Sequence, residues 1–199
     1  MTMIMSRDER RAYTSRLQPY LLASLLLFGA GMAVGLMAVS YFPALSDHVE
    51  ATITTFVGAF SGMPRLKLAG AILLNNATKT LLAIVLGVML GIVPMIFLFA
   101  NGIALAVAWS LSSQNRGPWL ALLSILPHGV IELPAVFLGT SIGLMIGSQA
   151  LKRLTGKSET PIGTELLQGL RYFCSVLLPL LLVAALVEAF VTTALVSRR

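Results

Sequence analysis

Residues 66–113 read LKLAGAILLNNATKTLLAIVLGVMLGIVPMIFLFANGIALAVAWSLSS, an almost unbroken apolar run. One crossing of a bilayer takes about 20 helical residues, so this run is too long for a single span and must fold back on itself. Gly91-Ile92-Val93-Pro94 marks the corner, because glycine supplies the turn and proline disfavours helix before it. The stretch predicts a hairpin of two membrane helices, at about 68–91 and 94–113.

Three further spans follow from the flanking sequence. The first runs from about Pro19, which suits a helix's first turn, to about Ser40, and contains Gly31-x-x-x-Gly35, a spacing that admits a close neighbour. Residues 119–150 again exceed one span and contain Pro127-His128-Gly129. They read as a short re-entrant helix over 119–126 followed by a span from Pro127 to about Ala150. The fifth runs over about 172–196, after a polar loop over 152–171. Residues 42–65 are less hydrophobic, and the helical spacing of Val49 to Phe60 suggests an interfacial helix. The expected fold is an all-α, polytopic transmembrane bundle of about five spans, broken at Pro127-His128-Gly129. Residues 1–19 form a cytoplasmic N-terminal segment and residues 20–196 a single transmembrane domain.

Composition agrees. The 199-residue chain is 57% hydrophobic and 11% charged, with a mean hydropathy of +0.88, whereas soluble domains carry about 25% charged residues. The net charge of +6 reads as basic flanks that orient apolar spans, not as a nucleic-acid surface, since no basic helix or aromatic platform accompanies it. Arg7, Arg10, Arg11, Arg16, Lys152, Arg153, Lys157 and Arg171 fall on one side. Arg65, Lys67, Arg116, Arg198 and Arg199 fall on the other, which places the N-terminus in the cytoplasm of a multi-pass cell-membrane protein. The apolar stretch from Tyr20 to Tyr41 is too long for a cleaved signal and reads as a retained signal-anchor. The single cysteine, Cys174, excludes an intramolecular disulfide. No metal-ligand spacing, nucleophile motif or phosphate loop is present, so no catalytic, metal or cofactor residue is expected.

Polar groups inside the spans are the candidate site, because ionisable residues are costly in hydrocarbon and rarely face lipid. His128 and Glu132 lie four residues apart, on one helical face. Pro134 lacks the N–H that would bond the Val130 carbonyl, leaving an acceptor beside Glu132. Asn75, Asn76 and Asn101 need partners, of which the natural ones are each other, His128 or Glu132. Lys79 either snorkels or pairs with an acid, and Glu188, the one charge within the fifth span, meets Lys79 or an interface. This set is either a polar clasp holding a broken helix or a site for a proton, cation or solute. Gly139, Gly143 and Gly147 form a smooth stripe, for packing against another helix or a second protomer.

Asn75-Asn76, Asn101-Gly102, the block Leu126-Pro127-His128-Gly129-x-x-Glu132-Leu133-Pro134-Ala135 and Val187-Glu188-Ala189-Phe190 together resemble the stage II sporulation protein M family, over about residues 20–196. The resemblance implies a polytopic, all-helical membrane protein of unsettled molecular activity. In sporulating bacteria the family's member works in a membrane complex with cell-wall-degrading partners during engulfment, while most relatives occur in organisms that do not sporulate. It carries over Asn75, Asn76, Asn101, His128, Glu132 and Glu188 without assigning them functions. The expectation is a non-enzymatic scaffold or assembly subunit, partnered by the bilayer and by its own copies or other cell-envelope proteins. The alternative is a transporter or channel component with its site at His128 and Glu132.

Overall fold

A computed structural model describes residues 3–41, 51, 55, 58 and 62–192, and these are helical apart from short turns. The elements are α1 (Arg7–Tyr41), α2 (Arg65–Val85) with a 3₁₀ turn at Leu86–Val88, α3 (Ile92–Arg116), α4 (Pro118–Leu154), α5 (Ile162–Tyr172) and α6 (Leu178–Val187). A π-helical turn, Phe173–Leu177, joins α5 to α6, and a second, Glu188–Thr192, follows. Among the described residues, five helices are long and apolar enough to cross a membrane. The expected interfacial helix over 49–60 lies almost wholly outside the described residues.

The corner between α2 and α3 falls where glycine and proline place it. Gly91 has φ 76° and caps α3, and the backbone closes through Gly91 N–H to the Gly87 carbonyl at 2.9 Å. Pro94 occupies the first turn of α3, where its missing N–H costs nothing.

Three expectations are corrected. Pro19 does not begin a helix; it lies inside α1. Its ring leaves the Ser15 carbonyl without a helical donor, but Ser15 is exposed, so solvent can satisfy it. The break at Pro127-His128-Gly129 is absent as well, since α4 runs without interruption from Pro118 to Leu154. Neighbouring helices let a membrane helix absorb prolines at the loss of single hydrogen bonds. The third correction concerns 152–171, which is not all loop. Helix resumes at Ile162, and Ile162, Leu166, Leu170 and Phe173 carry an apolar stripe that the charges among them obscured.

The crossing part of α4 is the hub. From Glu132 to Leu154, 61% of its window is buried inside the chain, against 22–33% for the other four spans. It packs against α1, α2, α3 and the α5–α6 rod. Glycine makes that crowding possible. A methyl group at Gly143 would strike the Ala83 carbonyl and come within 3.0 Å of the Pro94 ring, and one at Gly147 would come within 2.5 Å of the Gly91 Cα. The stripe offered to another helix or a second protomer is therefore filled by this chain's own α2–α3 corner. Gly31 and Gly35 of α1 sit likewise against Phe99 and Ile103 of α3, and Gly102 returns the fit against Phe28 and Met32.

Candidate functional site

The depth of each polar residue follows from these contacts. Helices α2 and α4 run parallel, with Thr80 at Gly139, Ala83 at Gly143 and Gly91 at Gly147. Two turns back from Gly139 lies Glu132; the same step back from Thr80 reaches the Leu73–Asn76 turn. The α5–α6 rod runs antiparallel to α4, with Gly169 at Ile142 and Leu177 at Gly139. Continuing along the rod at helical rise sets Glu188 level with the 128–132 turn. Asn75, Asn76, Glu132 and Glu188 thus fall within about 10 Å of one another in depth, a polar layer roughly two helical turns thick on three elements that pack on one another.

Within that layer Glu132 is 4% exposed. Lys79, one turn from Asn75 toward the α2–α3 corner, is electrostatically coupled to it. Glu132 is thus one acid whose charge reaches Lys79. Asn75 donates from its Nδ2 to Asn76 Oδ1 at 3.1 Å. Asn101 behaves otherwise: its amide donates to the Phe97 carbonyl of its own helix at 2.6 Å. The π turn that begins with Glu188 packs against α2 and α4. The backbone at residue 128 is helical, but the His128 side chain lies outside the described residues. Among the described residues no group of three or more His, Cys, Asp or Glu side chains could hold a metal ion.

A second polar cluster escaped the sequence reading. Ser24 on α1 meets Thr140 at 3.4 Å and Ser141 at 3.2 Å on α4, with all three buried. Hydroxyls that also bond their own helix carbonyls, as Thr140 and Ser141 do, give little warning in sequence.

A third cluster joins the start of α1 to α5. Arg16 pairs with Glu165 at 2.6 Å and donates to Gln168 at 2.9 Å, and Arg171 pairs with Glu9 at 3.0 Å. The Met5 N–H donates to Ser175 at 2.8 Å, and Thr14 and Tyr172 share a hydrogen bond at 2.9 Å. These contacts wall a cavity of about 240 Å³ lined by Met5, Glu9, Tyr13, Arg16, Gln168 and Arg171, among others. Glu165, Gln168 and Arg171 recur every three residues, a signal hidden once the segment is read as loop.

A family model described as Stage II sporulation protein M matches residues 24–193. The chain belongs to the stage II sporulation protein M family. The matched range takes in every layer residue and the central α4. Among curated proteins, an uncharacterized protein of Methanocaldococcus jannaschii is 23% identical over 174 residues, covering 86% of this chain and 93% of its own length. No solved structure gives a significant match. This member of the stage II sporulation protein M family is accordingly a multi-pass, all-helical membrane protein.

Proposed function

We propose that the chain is a non-enzymatic scaffold or assembly subunit of a cell-membrane complex, with its N-terminus in the cytoplasm. The observation that supports this is the outer face of α2. Its span is the least covered of the five, at 22%. Near its midpoint it exposes Thr78 and Lys79 between Leu74 and Leu82. A cation facing lipid near mid-depth costs about 2.5–3.5 kcal/mol on insertion scales. Glu132 balances Lys79 from inside, and a protein neighbour, either a second copy or another envelope protein, would shield it from outside. The layer through Asn75, Asn76, Glu132 and Glu188 then fastens α2 to the hub.

A second reading is favoured by the shared depth of that layer, since transporters place substrate and ion sites near the midplane. Glu132→Gln separates the two. The scaffold reading expects a lower melting temperature and weaker assembly, with proteoliposome flux of protons or cations unchanged. A variant that folds and assembles normally yet abolishes a flux present in the parent protein would overturn it.

A further inference from the structure

The first turns of α1 are sharply divided by charge. Glu9, Ala12, Tyr13 and Arg16 line the first cavity on one flank, where both acids of the cluster are paired with arginine. The opposite flank opens into a groove of about 500 Å³, lined by Arg7, Arg10, Arg11, Gln18, Tyr172 and Val176 among others. No acidic side chain lines it, and none of its three arginines forms an ion pair among the described residues. The Thr14–Tyr172 hydrogen bond fixes one wall.

The position of the groove identifies its occupant. Arg7, Arg11 and Gln18 stand on one helical face, and the same face continues into the membrane as Leu22, Leu25 and Gly29. Leu22 and Leu25 are 60% and 47% exposed, and a Cβ at Gly29 would meet nothing within 4 Å. A basic pocket at the water boundary therefore shares a helical face with an apolar track that begins about 16 Å further along α1. Guanidinium forks match phosphate oxygens bidentately, and clustered arginines beside a membrane helix attract anionic headgroups.

We propose that the Arg7–Arg10–Arg11 groove binds the phosphate of an anionic glycerophospholipid, whose acyl chains lie along Leu22, Leu25 and Gly29. The full-length protein is delipidated from nanodiscs of mixed phosphatidylglycerol and phosphatidylcholine, and its retained lipids are read by native mass spectrometry. Phosphatidylglycerol should be retained about tenfold over phosphatidylcholine, a preference that three interfacial arginines are sufficient to supply. Arg7→Gln/Arg10→Gln/Arg11→Gln should bring the ratio to near one. Lys152→Gln/Arg153→Gln/Lys157→Gln removes as much charge from the same side, outside the groove, and should leave it unchanged. Equal loss in both triple variants would mean diffuse surface charge, and no loss in the first would mean no site; either overturns the proposal. Displacement by inorganic phosphate alone would assign the groove to a free anion and overturn the lipid assignment. If the glutamine variant does not fold, Arg7→Lys/Arg10→Lys/Arg11→Lys keeps the charge but not the forks, and should still lose severalfold. Retention equal to the parent's would then count against the groove.

Discussion

At Gly147 a hydrogen stands where any side chain would enter the backbone of Gly91, and at Gly143 it stands against Ala83 and the Pro94 ring. The energetic meaning of a glycine depends on what faces it. Gly147→Ala should destabilise the protein by about 2 kcal/mol, because backbone cannot step aside as a flexible side chain can. Gly29→Ala and Gly70→Ala, where a methyl meets nothing within 4 Å, should be neutral or stabilising by about 0.5 kcal/mol through helix propensity. Thermal unfolding in detergent measures all three. The spacing of Gly139, Gly143 and Gly147 was legible in sequence as a packing stripe. Its partner was not, because the α2–α3 corner meets it through contacts some fifty to sixty residues away along the chain.

Among the elements, α4 shows most clearly what local reading can and cannot reach. Pro127 and Pro134 carry a strong local argument for a break, and each does forfeit one backbone hydrogen bond. The helix nevertheless runs from Pro118 to Leu154, since a membrane helix can lose single backbone hydrogen bonds to proline without ending. Pro134 is exposed, so Pro134→Ala restores the N–H toward the Val130 carbonyl without disturbing the core. The melting temperature should stay level or rise, and a marked fall would show that the proline shapes the helix after all. The opposite kind of error occurred at α5. There Lys152, Arg153, Lys157 and Arg171 suggested a loop, while the apolar spacing from Ile162 to Phe173 was the stronger physical signal. The Gly91–Pro94 corner was legible because turn chemistry is local, and no tertiary contact had to be known to place it.

For the molecule as a whole, the five-span helical bundle could be read from apolar run lengths alone, which report on the bilayer and need no knowledge of packing. The order of burial could not, because mean hydropathy runs from 1.4 to 2.4 across the five spans and the most buried of them, in α4, is the least apolar. Placing α4 at the centre decides which faces remain available to other proteins. Ile142 and Ile146 are 0% exposed, so in a Cys174→Ala background Ile142→Cys and Ile146→Cys should resist a membrane-permeant thiol reagent and form no intermolecular crosslink. Leu154→Cys, at a position 74% exposed at the polar end of α4, should label readily. Labelling at Ile142 comparable with that at Leu154 would mean that α4 is not the hub. The polar layer was half legible: Glu132 and the asparagines announce themselves by type, but their common depth depends on the parallel register of α2 and α4.

The central position of α4 also carries a consequence for biosynthesis, since the hub is the fourth of five spans to leave the ribosome. Helices α1 and α3 can interlock at once through Gly31, Gly35 and Gly102. Helix α2 has no such early partner: its contacts are chiefly to α4 and to the rod that follows. Until α4 inserts, the slot at Gly87 and Gly91 is open to lipid, and Lys79 waits for the glutamate that will face it. The nascent chain thus passes through a stage with one span unmoored, and that stage is where an insertase or membrane chaperone has something to hold.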